Sequence, residues 1–268
     1  MRGRTLAILA GLWLLIAFVS SLGGPLLISN DPYQPVGAAL SPPGEGGVLG
    51  TDALGRDFLS RLLHGGRVSL SASLGAAFIT IIFGALIGII ASTLSSWPDR
   101  LILWSSNAML AIPGLLLAMI LVAGMGPGLL TVVLAVGLAG IPGFIRVSRT
   151  NFMQVQSQNY VQAAKALGGG KAWTAWVHVI PNSLPHLLAL GTLYIAWAFL
   201  GITTLTFLGL AGDPSLPEWG TLLNSGRAYL IDYPHLAIIP GILISLTIIA
   251  IHYLGTWFSR ITAPKQRM

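Results

Sequence analysis

The chain has 268 residues, is 54% hydrophobic and only 8% charged, and has a mean hydropathy of +0.80. A soluble globular domain carries roughly 25% charged residues, so the composition excludes one and describes an integral membrane protein. The formal net charge of +6 needs no nucleic-acid partner, as the placement of the charges shows, and the lack of cysteine excludes disulfides, thiolate metal sites and cysteine nucleophiles.

A helix needs about 20 apolar residues to cross about 30 Å of hydrocarbon. The charge-free runs are Thr5–Asn30 (26 residues), Val68–Pro98 (31), Leu101–Ile145 (45), Ala172–Gly212 (41) and Tyr233–Ser259 (27). The third is too long for one pass and contains Gly-Met-Gly-Pro-Gly at 124–128, a turn signal. It reads as two helices in a tight hairpin. The fourth opens on polar His-Val-Ile-Pro-Asn-Ser-Leu-Pro-His and holds one span. Six spans result, near 6–28, 68–94, 104–124, 129–147, 187–210 and 236–258.

Lys and Arg orient the chain. With both termini in the cytoplasm, ten of the 14 basic residues lie inside: Arg2, Arg4, Arg100, Arg146, Arg149, Lys165, Lys171, Arg260, Lys265 and Arg267. Only Arg56, Arg61, Arg67 and Arg227 lie outside, with every acid except Asp99. Insertion physics explains this asymmetry. The first span, with its basic start, could be a cleaved signal peptide, but its apolar run continues to Ile28, beyond the usual 7–15-residue core. A retained helix is the expectation.

The expected domains are a first helix at 1–30, an outer loop at 31–67 with an amphipathic interface helix, a five-span core at 68–258 and a tail at 259–268. The core includes an inner loop at 149–186 and an outer loop at 211–235. No span carries a Lys, Arg, Asp or Glu deep in the bilayer. Ion-coupled carriers usually need such residues, so energy for active transport would come from another chain. Asn107 reads as a helix–helix bond or an interfacial residue, and His252 as an interfacial histidine.

The segment Asn159–Asn182 is rich in Ala and Gly and carries two lysines and no acid. Asn159–Leu167 is strong helix material, Gly168–Gly170 ends that helix, and Ala172–Val179 can form a second short helix with Trp173, Trp176 and Val177 on one face. Pro181 is expected to stop it. The product is a helical hairpin under the membrane, either an interfacial anchor or a docking element. Gly-Gly-Gly-Lys here is not a phosphate loop, because Lys165 stands at the leading Gly position and Ala172 follows Lys171.

At these residues the chain resembles permease subunits of ATP-binding-cassette importers. Their cytoplasmic motif of Glu-Ala-Ala, a Gly, and a later hydrophobic-Pro pair is matched by Gln162-Ala163-Ala164, Gly168 and Ile180-Pro181. The leading Glu is replaced by Gln162. Leu49–Leu70, with Gly50, Thr51, Asp52, Gly55, Arg56 and Asp57, and Phe207–Leu230, with Trp219, Gly220 and Arg227, resemble the second permease of dipeptide, oligopeptide and nickel importers. The resemblance covers about residues 49–258. It implies an all-α, six-span type I importer fold in the bacterial inner membrane, with no catalytic or metal site. It also implies a homologous permease partner, two cytoplasmic ATPases that bind the ATP and Mg, and an extracytoplasmic solute-binding protein. The 159–181 loop would receive the ATPase stroke. Peptides, nickel or metal chelates are the implied cargoes, and the lean outer loops lean toward the metals.

Physically, Asp52–His64 reads as an amphipathic helix with Phe58, Leu59, Leu62 and Leu63 on one face and i,i+4 pairs Asp52/Arg56 and Asp57/Arg61, each worth about 0.2–0.5 kcal/mol. Asp213, Glu218 and Asp232 are expected to face outward with Arg227, and Trp219 to anchor at the headgroups. Gly84 and Gly88 permit tight helix packing. A stand-alone channel or carrier is the rival reading, and it would need a selectivity ring or buried acid. An intramembrane protease would need Ser–His or paired Asp within the spans.

Overall fold

A computed structural model describes residues 2–28, 30–94 and 96–262. Lys265, Arg267 and the rest of the expected tail beyond Thr262 lie outside the described residues. The long helices are α1 (Arg2–Leu27), α2 (Phe58–Thr93), α3 (Ser96–Leu110), α4 (Gly114–Met125) and α5 (Leu129–Gln156). Then come α6 (Asn159–Ala166), α7 (Lys171–Thr174), α8 (Ile180–Phe207), α9 (Trp219–Gly226) and α10 (His235–Thr262). Among the described residues there is no strand, only two isolated bridges. Among the described residues five helical stretches are long and apolar enough to cross a membrane, and α3 with α4, bent by 90°, passes the same test only as a pair, as a broken span or a re-entrant loop would.

The loops gather at two ends. Residues 30–57, 126–128 and 208–234 share one end, where Arg61 Nη2 reaches Ser215 O (3.0 Å) and Gly128 N reaches Leu210 O (3.1 Å). The hairpin after α5 marks the other, where Gln156 Nε2 donates to Ser92 Oγ (3.0 Å) and Arg149 Nε to Asp99 Oδ1 (2.6 Å). We refer to these as the clamp end and the hairpin end. Helix α1 lies across the outside of the bundle and is tied to α10 by Trp13 Nε1 to Thr247 Oγ1 (3.3 Å).

The centre is the α2–α5 seam. Small residues set its spacing. A Cβ on Gly84 would lie 2.7 Å from Phe144 Cβ, and one on Gly88 would overlap Ser148 Oγ. On α5, a Cβ on Gly137 would sit 3.0 Å from Ile79 Cβ, and one on Gly140 2.5 Å from Thr80 Oγ1. The close approach lets each helix bond the other's backbone: Thr80 Oγ1 donates to Gly137 O (2.7 Å) and Ser148 Oγ to Gly84 O (3.0 Å). Such bonds are worth about 0.6–2 kcal/mol in a bilayer. Around the seam, Ala76, Ala77, Val132, Ala135, Val136, Ala198 and Ile202 are almost fully buried.

Three expectations are corrected here. The amphipathic segment at 52–64 is not a separate helix. Asp57 caps α2 directly, its Oδ1 accepting from Leu59 N (3.0 Å), and α2 runs unbroken for 36 residues. The span expected at 104–124 is broken at Ala111–Pro113, because Pro113 has no N–H to continue α3. Finally, Pro181 does not stop the second hairpin helix. It is the second residue of α8, directly after a wider turn that accommodates its missing N–H. A π turn over Ala175–Val179 joins α7 to α8, so Lys171–Phe207 is one helical rod of 37 residues. Asn107 and His252 are both exposed on the bundle surface.

The seam yields a test. Gly88→Val should cost about 1–3 kcal/mol through overpacking, and Ser148→Ala about 0.6–2 kcal/mol through its lost bond. Thermal melting of the purified proteins in one detergent compares them, and losses near zero for both would mean the helices are not in close contact.

Candidate functional site: the hairpin and the clamp

The residues singled out in the sequence fall at the two ends of the bundle. At the hairpin end, α6 is held by one peg. Val161 is fully buried and packs with Phe144, Phe152, Val179 and Leu187. Gln162 Nε2 donates to Gln156 O (2.8 Å), tying α6 back to the end of α5. Ala163 is exposed and Ala164 half-buried. The helix closes in a Schellman motif: Gly169 N bonds Ala164 O (3.0 Å) and Gly168 N bonds Lys165 O (3.0 Å), with Gly168 at φ +93°. Gly169 is needed for space, since a Cβ there would come 2.7 Å from Ala164 O.

The underside of the hairpin is apolar and open. Leu167 is 90% exposed, Trp176 73% and Trp173 52%. Tyr160, Trp173 and His178 meet edge to face (Trp173–His178 centroids 5.1 Å, Tyr160–His178 6.3 Å). Ile180 is half-buried and Pro181 exposed, just beyond the π turn. The structure thus brings Gln162, Ala163, Ala164 and Gly168 together on one tip. Ile180 and Pro181 belong to the rod that carries the tip into α8.

At the clamp end, the sequence Gly50–Asp57 folds as a knot of turns. Gly50 (φ +76°) and Gly55 (φ +75°) take conformations suited to glycine, and a Cβ on either would strike the carbonyl of Ser41 or Gly37. Thr51 is fully buried, donating to Ala38 O (2.6 Å) and accepting from Ser41 N (2.8 Å). Asp52 binds Arg56 (Nε–Oδ2 2.8 Å), as expected. The expected Asp57/Arg61 pair does not form. Asp57 is occupied by the α2 cap and by Asn30 Nδ2 (2.8 Å), so Arg61 turns to Asp52 (3.2 Å), Pro32 O (2.8 Å) and Ser215 O (3.0 Å). Arg61 is 1% exposed and links the loop before α2 to the loop between α8 and α9.

Two further expectations fail at this end. Glu218 does not face outward; it is fully buried and caps α9. Its Oε1 accepts from Ser69 Oγ (2.7 Å) and Oε2 from Thr221 N (3.1 Å), with Thr206 and Gly220 also bonding the carboxyl. Trp219 is buried rather than anchored at headgroups, its Nε1 donating to Leu62 O (2.8 Å) and its N to Ser69 Oγ (3.0 Å). Gly220 must be glycine, because a Cβ there would strike Thr203 O and Thr206 Oγ1 on α8. The sequence carries no sign of this burial: Glu218 looks like any loop acid until α2, α8 and α9 are assembled. Asp213 and Asp232 are exposed, and Ser215 holds the Asp213 carboxyl below its ordinary range through a side-chain bond (2.7 Å). Arg227 is exposed over the Phe207 ring (5.6 Å). It lines a cavity of about 380 Å³ with Arg56 and Arg61.

This architecture defines a class: a polytopic, all-helical membrane protein with five or six candidate spans. Residues 81–268 match the model of the family described as "Binding-protein-dependent transport system inner membrane component". The chain belongs to this family and is a permease subunit of the ABC transporter type, a multi-pass inner-membrane protein. It is 33% identical to the glutathione transport system permease protein GsiD of Pectobacterium atrosepticum, over 97% of this chain and 87% of that one. It is 37% identical to the di/tripeptide transport system permease protein DppC of Pseudomonas aeruginosa, over 95% and 86%. The fold resembles a solved structure titled "Crystal structure of an amino acid ABC transporter with histidines" (TM-score 0.57, 17% identity, 76% of this chain and 93% of that one).

The buried carboxyl at the clamp end sets a pH dependence. Burial pushes the Glu218 carboxyl up, against the bonds that favour its charged form. The folded state therefore holds the proton more tightly than the unfolded chain, whose glutamate titrates near 4.3. Stability is fully present below that value and falls as pH rises toward the folded value. Glu218→Gln should flatten this fall. Melting temperatures measured between pH 4.5 and 7.5 decide, and parallel profiles for the two proteins would contradict it.

Proposed function

We propose that this chain forms half of the translocation path of a peptide importer. It would work with a homologous permease, two cytoplasmic ATPases that bind ATP and Mg, and an extracytoplasmic solute-binding protein, with no enzymatic or cofactor chemistry of its own. The charge asymmetry supports placing the hairpin end, with both termini, in the cytoplasm and the clamp end outside. Two relatives named for glutathione and di/tripeptides support peptide cargo. They favour it over the nickel or metal-chelate cargo suggested by the lean outer loops.

One observation carries the mechanism: the Ala/Gly tip of the hairpin is exposed and apolar, yet rigidly joined to the bundle through Val161 and the 171–207 rod. An ATPase groove closing on this tip would push a lever, and the push would travel along α8 into the core. Moving an inward/outward equilibrium from 1:99 to 99:1 needs about 5.5 kcal/mol of differential binding. The partner contacts supply it. Gln162, Ala163, Ala164 and Gly168 would meet the ATPase, while Ile180 and Pro181 would pass the motion on. At the other end, Gly50, Thr51, Asp52, Gly55, Arg56 and Asp57, with Trp219, Gly220 and Arg227, would shape the surface met by the solute-binding protein.

A stand-alone channel or ion-coupled carrier would use Glu218 as its buried acid. That carboxyl is, however, enclosed by donors from three helices at one end rather than strung along a pathway.

Gly168→Asp should abolish peptide uptake while the permease still reaches the membrane, because a side chain at φ +93° is strained and projects from the docking tip. Uptake in cells, with membrane abundance measured in parallel, tests it; full uptake would remove the docking role. Separately, the chain purified alone should hydrolyse no ATP above a protein-free blank, and robust turnover would overturn the assignment of energy to partner subunits.

A further inference from the structure

The broken third span sits at an awkward depth. Along α5, the first charges after Leu129 are Arg146 and Arg149, about 26 and 30 Å away at 1.5 Å per residue. That interval matches a hydrocarbon core of about 30 Å. Leu110 and Gly114, on either side of the break, line a cavity of about 310 Å³ with Gly140, Gly143, Tyr194 and Trp197. Gly140 and Gly143 lie about 16 and 21 Å below Leu129, and on α8 Trp197 and Tyr194 lie about 15 and 20 Å below Phe207. The two helices agree: the break lies about 15–21 Å from the clamp end, inside the interval that a hydrocarbon core of about 30 Å spans along α5.

Its N–H groups at Ala111 and Ile112 are paired, but among the described residues three of its carbonyls are not. Across the break the bonds are Ala111 N to Asn107 O (3.1 Å), Ile112 N to Met109 O (3.2 Å) and Leu117 N to Pro113 O (3.0 Å). Among the described residues, the carbonyls of Leu110, Ala111 and Ile112 receive no hydrogen bond, and all three residues are exposed. The Tyr194 hydroxyl, beside Gly143 in the same groove, likewise has no hydrogen-bond partner among the described residues. A lipid-exposed, irregular backbone does not persist in hydrocarbon; it is tolerated where it is buried in protein or lines water.

We propose that this groove between α4, α5 and α8 is a wetted wall of the translocation path. There the Leu110, Ala111 and Ile112 carbonyls and the Tyr194 hydroxyl bind cargo bearing N–H groups, such as peptide amides and ammonium groups. The glycine floor of Gly140 and Gly143 leaves room for a main chain, and Trp197 walls one side. This inference rests on the permease reading given above and assigns its cargo-facing surface. A groove sealed by a partner helix is the competing outcome.

The natural absence of cysteine makes the test direct. Ala111→Cys and Ile112→Cys, each in the assembled importer in nanodiscs, are treated with a charged, membrane-impermeant thiol reagent. Phe83→Cys serves as control: it is exposed and level with the groove, between Thr80, which bonds Gly137 O, and Gly84, which meets Phe144. Both break positions should react at least about tenfold faster than the control, since only wetted thiols meet the reagent. Rates as slow as the control at both positions, in variants that still take up peptide, would overturn the wall while leaving the permease reading intact. Failure of the unmodified importer to move peptide would instead strike the cargo reading, whatever the labelling.

Discussion

Everything in the bundle is referred to the line along which α2 and α5 touch. In a bilayer there is no hydrophobic gain in pressing one apolar helix on another, so contact must come from close packing and from polar bonds between helices. The seam uses both. Glycines at 84, 88, 137 and 140 remove the side chains that would hold the helices apart, and the gap is narrow enough for Thr80 and Ser148 to reach the opposite backbone. Helix α8 packs on both partners and carries the hairpin rod. The position of every functional surface therefore follows from this contact.

The two ends are held by different means. The clamp end relies on buried polar groups. Arg61 joins two loops more than 150 positions apart in the chain, through Pro32 O and Ser215 O. Glu218 joins α9 to α2 and α8 with no basic partner among the described residues. Burying such groups is costly unless their bonds are made, so the geometry tolerates little displacement. The hairpin end is lighter. There α6 is held by a single valine peg, one glutamine bond and a glycine-closed turn, with its apolar underside left uncovered, while Asp99–Arg149 and Ser92–Gln156 tie the longer helices together. The clamp end is thus fixed by buried polar bonds, while helix α6 at the hairpin end is held by fewer contacts.

The π turn at Ala175–Val179 belongs to the same logic. Pro181 removes one backbone donor, and a wider turn absorbs the mismatch without ending the helix. The hairpin is thereby continuous with α8 instead of hinged to it. The sharp bend at Ala111–Pro113 is the opposite case, where a proline does interrupt a span and exposes backbone.

Much was legible in the amino-acid order alone. Apolar runs between charges count the crossings, because charge in hydrocarbon is expensive wherever it falls. Gly168 marks a helix end, because an unstrained positive φ is a local property. The order and spacing of the Gln162, Gly50 and Trp219 segments point to the family for the same reason. What only the tertiary structure decided is partnership. Asp57 and Arg61 stand four apart, as a helical pair should, yet each finds a better partner once Asn30, Asp52 and Ser215 are brought in. Glu218 and Trp219 look like surface residues until Ser69 and Leu62 close over them. Helix breaks and continuities at Pro113 and Pro181 also escaped, since a proline's effect depends on whether neighbouring helices can absorb its missing bond. Local sequence sets where a chain can turn and where it can enter a membrane; which polar groups are paired is set by residues distant in the chain and near in space.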